Sequence, residues 1–481
     1  MQMAMSNHGS GNTALRALLD EAEMSNIALG RAVVAAGARE GIHLGTNTTS
    51  VKRMLDGCQP RWPAPRLVAA VLSRRLRREV TVTECGFADR TPPEEDPDDG
   101  LTGAGTLEGT VRTVVELSGR DMRRRKLLLG SVFSAAAFAE PALFALTVPP
   151  AQSTARVAGR RIGMADVEIL TEQVVHLGRL DHRYGAGRVR EQVVALLHRE
   201  ANEFLHGAYS EKTGQALLTA VAKATRLAGY TAADLGRHSL AQRYYIQRLD
   251  LAMRADDRAY AAEMLSEMSR MTLLIGQNAL TERDRLRHGR QAAALARAGL
   301  AIAQGTAAPV LVAELHALDG RALALLGDTR GARHAVLAAQ RLFESLRPND
   351  EAPAFYSDAA IASELGRCLH DIGEPEQAVA MSAAALRDYE PWRVRNRCWV
   401  QADLASAHLL RHDLEQAATL GRDALRTAAK VSSHRLLDRL RTLQRQVRPL
   451  HSATPALADL DDRITDFLAR AIRQQQQYDK L

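Results

Sequence analysis

The chain has 481 residues and a formal net charge of +7 at neutral pH, and this length is enough for several domains with their own cores. Aromatic residues make up only 4% of it, whereas alanine, leucine and arginine are abundant. This composition is typical of helices that pack through small side chains, and it argues against a β-sandwich. The cysteines are scattered without paired spacing, which indicates neither a zinc site nor a disulfide framework, so we expect a reducing, cytoplasmic location.

Short amphipathic helices are predicted near the start of the chain. Apolar residues recur at helical spacing in four stretches, residues 12–22, 27–36, 48–56 and 64–76. Ser25 or Asn26 is expected to cap the second helix, and Thr48 or Thr49 the third, because their side chains can accept from an unpaired backbone N–H. Gly57 and the prolines that follow it should end the third helix.

The third helix has a polar outer face whose chemistry suits DNA recognition. Its apolar residues share one side, which leaves hydroxyl groups and two cations on the other. The window from Asn47 to Arg78 carries eight cations and one acid, a concentration that attracts phosphate; a solvated basic surface is the alternative interpretation. We predict that this region binds double-stranded DNA. The candidate contact residues are Ser25, Asn26, Arg31, Thr48, Thr49, Ser50, Lys52, Arg53, Arg61 and Arg66.

A resemblance to a known family supports this prediction. The run from Leu29 through Ser50-Val51-Lys52-Arg53 to Leu76 resembles the repressor-type helix-turn-helix of phage repressors and xenobiotic-response-element regulators. The segments NTALRALL, TSVKRMLDGCQPR and VTVTECGFA are similar to the N-terminal domain of actinobacterial regulators that carry helical repeats behind it. The resemblance covers about residues 12–88 and implies a transcriptional regulator. It departs from the motif at residues 37–47, which are longer than the usual turn of about three or four residues.

Two further segments separate this domain from the rest of the chain. Residues 89–106 form a linker rich in proline and acids, which cannot bury enough apolar surface to fold. Residues 107–165 form a connecting segment. Its stretch 127–146 follows four consecutive cations and carries a single charge. We expect a buried or interface helix there, with membrane association as the alternative.

Residues 166–470 show the periodicity of paired helices. Three series share the same offsets of seven and five residues, and a weaker fourth runs through Ala405, His412 and Ala417. The three series are Gly229-Gly236-Ala241, Gly320-Gly327-Ala332 and Gly366-Gly373-Ala378. A small residue lets two helices touch, a glycine ends the first helix, and an alanine lies at the closest approach. The pattern resembles the tetratricopeptide repeat. It implies an all-α fold, an N-terminal helix-turn-helix bundle followed by a tetratricopeptide-like α-solenoid, with a tail at 471–481.

A polar run within the array is the predicted ligand site. Stacked repeats present a concave groove, which suits a peptide, a small molecule or a protein. The candidate binding residues are Asp234, Arg237, His238, Gln242 and Arg243. The alternative is that these residues only cap and solvate a helix pair.

No motif indicates catalysis, and we expect no enzyme activity, metal or cofactor. The chain has neither a Gly-x-Ser-x-Gly elbow nor a phosphate-binding Gly-x-x-x-x-Gly-Lys loop. His408 and His412 lie four residues apart but lack the glutamate of a zinc protease. The hypothesis is therefore a homodimeric DNA-binding regulator in which the repeats sense a signal. The alternative is a repeat-based protein-interaction scaffold, associated with a membrane through residues 127–146.

Overall fold

The computed structural model describes residues 11–39, 44–61, 63–88, 100–122, 133–147, 153–305, 308–345 and 357–478. These residues form helices joined by turns, and this part of the chain contains isolated bridges near residues 156–161 and 208–209 but no β-strand. The predicted all-α fold is confirmed. The chain divides into two compact units, Met1–Asp96 and Pro97–Leu481. The boundary falls within the predicted linker, whose residues 89–99 lie outside the described residues.

The first unit is a small helical bundle around one apolar core. Its helices are α1 (Thr13–Glu21), α2 (Asn26–Arg39), α3 (Thr48–Leu55) and α4 (Ala64–Leu76). Each helix directs apolar side chains at three- and four-residue spacing toward the same cluster, which also includes the turn at residues 80–87. The fully covered members include Leu15, Leu29, Val51, Leu67 and Leu72.

The caps of α2 and α3 are only partly as predicted. Ser25 accepts a hydrogen bond at 3.2 Å from the backbone N–H three residues later, so it caps α2. Asn47 caps α3, since its side-chain oxygen accepts from the backbone N–H of Ser50 at 2.9 Å. The prediction that Thr48 or Thr49 caps α3 is therefore wrong, and both threonines are exposed on the first turn of the helix.

The start of α3 lies against α2 because Gly30 has no side chain. A Cβ at Gly30 would lie 3.4 Å from the backbone carbonyl carbon of Asn47, already at van der Waals contact. Residues 40–47 connect the two helices, and 40–43 lie outside the described residues. The connection is shorter than the predicted 37–47 but still longer than the usual helix-turn-helix turn.

The second unit is an array of helices. Their bounds are α5 (Leu107–Met122), α6 (Ala139–Thr147), α7 (Met164–Tyr184), α8 (Ala186–Leu196), α9 (Asn202–Leu205), α10 (Glu211–Asp234), α11 (His238–Arg254), α12 (Arg258–Gln277), α13 (Glu282–Ala303), α14 (Pro309–Leu325), α15 (Thr329–Ser345), α16 (Asp358–Asp371), α17 (Pro375–Asp388), α18 (Val394–Leu410), α19 (Leu414–Ala428), α20 (His434–Val447) and α21 (Pro455–Tyr478). The last helix extends beyond residue 470 and into the predicted tail at 471–481.

Neighbouring helices from α10 to α21 form hairpins that stack on one another. Gly236, Gly327 and Gly373 occupy the hairpin turns with φ of 74°, 82° and 78°, a left-handed conformation that glycine adopts without steric cost. His412 takes the same place between α18 and α19 with φ of 63°. A Cβ at Gly229 would lie 2.8 Å from the neighbouring tyrosine ring, as a close helix contact requires. The predicted helix-pair periodicity and α-solenoid are confirmed.

The predicted apolar helix at 127–146 is shorter than expected, and residues 127–132 lie outside the described residues. A 3-10 turn at Ala135–Phe138 leads into α6. Phe138, Ala142 and Ala145 are buried in the core of the second unit, so this part is a buried segment, one of the predicted alternatives. No helix among the described residues is long and apolar enough to cross a membrane.

The array closes on itself. The backbone N–H of Ser432 donates to the carbonyl of Tyr184 at 3.0 Å, and Ser433 Oγ donates to the carboxylate of Asp234 at 2.7 Å. Arg395 pairs with Asp181 through two hydrogen bonds of 2.8 and 2.7 Å. We call these three interactions the closure contact. They join α7 and α10 to α18 and the start of α20, so the inner face encloses a cavity.

Candidate functional site

The outer face of α3 presents the predicted DNA-contact chemistry. Val51, Met54 and Leu55 are buried, so the helical repeat turns Lys52 and Arg53 outward, and both are exposed together with the two threonines of the first turn. Neither cation forms an ion pair with an acid of the described chain. Ser50 differs from the prediction, since it is only half-exposed and its hydroxyl lies 3.1 Å from the Asn47 side-chain oxygen.

The other predicted contact residues surround α3 at varied exposure. Arg31 on α2 and Arg61 before α4 are exposed, and Arg66 in the first turn of α4 is half-exposed. Asn26 is the first residue of α2 and half-exposed, whereas Ser25 is exposed but holds the cap described above. These residues therefore lie at the surface of the same small unit.

The basic window is not one continuous DNA-facing surface, because two of its arginines stabilise the unit itself. Arg75 Nε donates a hydrogen bond to the carbonyl of Ala22 at 3.1 Å, just after the last residue of α1. Arg78 pairs with Glu21 at 3.0 Å and with Glu84 at 3.2 Å. The sequence count of eight cations consequently overstates the charge that this window presents to a nucleic acid.

Comparison with known proteins gives one family-model match, which lies in the N-terminal unit. Residues 15–88 match a family model described as the SP15 N-terminal domain. A search of curated proteins finds no match. The match has nearly the same bounds as the predicted domain at 12–88, and its description states no activity.

The predicted ligand residues do not line an open groove. Asp234, Gln242 and Arg243 are buried, with exposed fractions of 0%, 1% and 2%. Asp234 takes part in the closure contact, and Gln242 bonds both backbone groups of Ser134, accepting from its N–H at 3.2 Å and donating to its carbonyl. Arg243 donates to the Ser239 carbonyl at 3.1 Å. These positions bond to their own chain, which contradicts the expectation that they face a ligand.

The remaining two predicted residues lie at the edge of the same helix. The Arg237 guanidinium is half-exposed and lies 3.9 Å from the carboxylate of Asp121. Burial lowers the pKa of His238 below its usual value, which favours the neutral imidazole. Neither lines the cavity of the array, so their predicted role in ligand binding stays a prediction.

The buried polar residues of α11 instead hold the chain that follows the first unit. Gln247 Nε2 donates to the backbone carbonyls of Gly100 and Thr102 at 3.1 and 3.0 Å. Asp250 accepts from the hydroxyl of Thr110 in α5. A polar helix surface that the sequence presents as solvated is thus covered by residues 100–122 and 133–147.

The cavity inside the array was not predicted. Its lining comes from the first helix of successive hairpins and from α7, and includes Tyr230, Trp399 and Arg435. These residues lie on α10, α18 and α20, far apart in sequence. No local motif marks them, because only the closure of the array brings the three helices together.

Ion pairs between arginine and acid run along this lining. Arg226 lies 2.6 Å from Glu267, and Arg321 lies 2.7 Å from Glu364. Burial alone would raise the pKa of the Glu267 carboxyl, but the guanidiniums of Arg226 and Arg248 outweigh burial and lower it. The Glu267 carboxyl is therefore ionised, and arginine–acid pairs account for most of the fixed charge around the cavity.

The structure provides no metal-ligand cluster within the described residues. The histidine pair noted in the sequence does not converge, since His408 Nδ1 lies 3.1 Å from the carboxylate of Asp413 and His412 occupies the left-handed turn.

Proposed function

We propose that the protein is a cytoplasmic DNA-binding transcriptional regulator. Its N-terminal unit recognises an operator through α3, and its repeat unit senses a signal or partner and joins two copies into a homodimer. The observation that carries the proposal is the outer face of α3, where Lys52 and Arg53 lie beside exposed threonine hydroxyls without an acid partner in the described chain.

This chemistry matches a nucleic acid groove. Hydroxyl groups and guanidinium can bond base edges, whereas a lysine that contacts only phosphate neutralises charge without reading sequence. With eight residues at about 1.5 Å each, α3 is only about 12 Å long. One copy covers a short half-site, so an operator of useful specificity requires two copies.

The repeat unit supplies a physical route for a signal. Gln247 holds Gly100 and Thr102, which are the first described residues after the N-terminal unit. A change in the packing of α11 would therefore alter how this connecting chain is held. Any ligand acts on such a change only through its different affinity for the two conformations.

The test starts from the purified full-length protein and a selection of the genomic DNA that it retains. Lys52→Ala/Arg53→Ala should weaken binding to the selected operator, with about 1–3 kcal/mol from a lost bidentate contact of Arg53. Loss of the Lys52 phosphate contact should weaken all sequences alike and reduce the salt dependence. Arg74→Ala/Arg77→Asn is the matched control, because it removes the same charge from exposed positions at the other end of α4, and asparagine tolerates the left-handed φ of 56° at Arg77.

Near wild-type operator affinity in a folded α3 double variant would contradict the assignment of α3. Failure of the full-length protein to select any DNA sequence would favour the scaffold function. Light scattering with and without operator tests the homodimer, and a monomer at micromolar concentration in both conditions would contradict it.

A further inference from the structure

Four side chains from three helices, α10, α18 and α20, meet at one wall of the cavity. The Arg395 guanidinium lies 4.9 Å from the ring centroid of Tyr230 and 5.2 Å from that of Trp399. The Arg435 guanidinium lies 5.2 and 4.8 Å from the same two rings. Two positive groups thus share two aromatic faces, an arrangement that is favourable for each cation alone but brings like charges together.

Only one of these two cations has a carboxylate partner. Arg395 is fully buried and forms its bidentate pair with Asp181, while Asp234 lies 3.5 Å from it on the other side. Arg435 forms no ion pair with any acid that the structure describes, although it lines the cavity. A half-buried guanidinium beside a second one is stabilised by an anion, and no acid among the described residues pairs with Arg435.

Two further features indicate a site for an acceptor group. Trp399 is 9% exposed, and its indole N–H is buried without a hydrogen-bond partner, although such donors are normally satisfied. Arg435 also lies in the first turn of α20, where a cation is unfavourable next to the positive end of the helix dipole. A negatively charged acceptor would satisfy the indole donor and offset both unfavourable charge interactions.

We propose that this wall of the cavity binds the carboxylate group of a small organic acid, with the Arg435 guanidinium and the Trp399 indole N–H as donors. Leu227, Ala360 and Gly178 also line the cavity and provide apolar surface for the body of the ligand. Guanidinium matches the planar carboxylate through two parallel hydrogen bonds. The proposal rests on the sensing role given above and names the class of signal. Its test measures binding to this cavity without DNA, so its outcome is separate from that of operator recognition.

The experiment uses the full-length protein and matched probe pairs that differ only in charge, namely benzoate with benzamide and phenylacetate with phenylacetamide. Ligand-observed NMR and calorimetry should show saturable binding of at least one acid, with the corresponding amide at least about tenfold weaker. Arg435→Gln should weaken the acid at least about tenfold and leave the amide unchanged. Arg435→Lys should recover part of the affinity, since it restores charge but not the bidentate geometry.

Arg445→Gln is the matched control, because it removes an exposed arginine from the same helix. Circular dichroism checks that each variant is folded. Trp399→Phe, which removes the indole donor together with part of the ring, provides a second variant that should weaken the acid. Equal affinity for acid and amide, or equal affinity of Arg435→Gln and the unmodified protein, would overturn the proposal. So would the absence of binding by every acid, or tighter binding of phenyl phosphate and inorganic phosphate than of the carboxylates. Loss of operator binding with retained acid binding would contradict the proposed DNA function alone.

Discussion

Replacing the buried Arg395 with methionine should destabilise the closure contact more than replacing any exposed residue does. The Arg395 side chain is fully buried, and Asp181 and Asp234 are 1% and 0% exposed. Arg395→Met therefore leaves two buried carboxylates without their cation, a loss that typically costs about 3–5 kcal/mol of unfolding free energy. Burial already raises the pKa of Asp181 above its usual value despite the opposing effect of Arg395, so removing the cation raises this pKa further.

Protonation of Asp181 limits that cost and makes it depend on pH. Keeping a carboxyl of usual pKa 3.8 protonated at pH 7 costs about 4 kcal/mol, since each pKa unit corresponds to about 1.4 kcal/mol. At pH 5 the same calculation gives about 2 kcal/mol. A carboxyl whose folded-state pKa is raised stabilises the fold below its unfolded pKa and loses that contribution as pH rises. The deficit of Arg395→Met should therefore shrink between pH 7 and pH 5.

Urea unfolding followed by tryptophan fluorescence measures this deficit. A Trp62→Phe background leaves Trp392 and Trp399 as the two tryptophans of the chain, and both lie near the closure contact, since Trp392 packs on His182 and Trp399 on Arg395. Asp181→Asn/Arg395→Met is the matched control and should be less destabilised than the single variant, because it buries one carboxylate fewer. A deficit below about 1 kcal/mol, the range of exposed pairs, or one independent of pH, would refute the reasoning.

Two other predictions follow from single side chains. Cys58 is exposed whereas Cys85, Cys368 and Cys398 are buried, and burial raises the pKa of Cys85 to about 12. A thiol reagent should therefore modify Cys58 of the native protein quickly. Rapid modification of a second cysteine would contradict the packing. Glu211 binds the Ser153 hydroxyl and the Thr154 backbone N–H, which lowers its pKa from 4.5 to about 2. Its contribution is present above pH 4.5 and lost as pH falls toward 2. The protection of residues 153–155 against hydrogen exchange, measured relative to the intrinsic rate at each pH, should therefore fall over that range, and Glu211→Gln should show low protection throughout.

The repeat architecture could be predicted because its determinants are local. The glycines at Gly236, Gly327 and Gly373 mark turns whose left-handed backbone favours glycine wherever the rest of the chain lies. The alanine that follows each of them by five residues is buried because the paired helix lies against it. Such constraints repeat with the structural unit, so the spacing alone indicated the helix hairpins.

The contacts of the polar residues could not be predicted from the sequence in the same way. Gln242 and Gln247 look like surface residues in the sequence, but they bond backbone segments more than a hundred residues away. Arg395 and Asp181 are 214 residues apart. Long-range pairs of this kind depend on the accumulated curvature of the array, which a local pattern does not contain.

The cap of α3 is another feature that the sequence alone did not predict correctly. Asparagine and threonine are both good cap residues, and α3 begins at Thr48, at least one residue earlier than a cap at Thr48 or Thr49 would place it. The difference matters for the candidate DNA interface, because Asn47 engages the Ser50 hydroxyl and leaves Thr48 and Thr49 exposed. The outer face of α3 is therefore built from threonines and cations, with Ser50 in the cap.

Arg395 belongs to the closure contact and also packs against Tyr230 and Trp399 in the wall of the proposed acid site, so the two are energetically linked. An anion at Arg435 that binds the closed array but not an opened one stabilises closure by RT ln(1 + [L]/Kd), about 2.7 kcal/mol at a hundredfold excess over Kd. That is comparable to the cost of breaking the buried Arg395 pair. Occupancy of a single small site could thus shift the balance between closed and opened arrays, provided that the opened form loses the juxtaposition of α10, α18 and α20 on which the site depends.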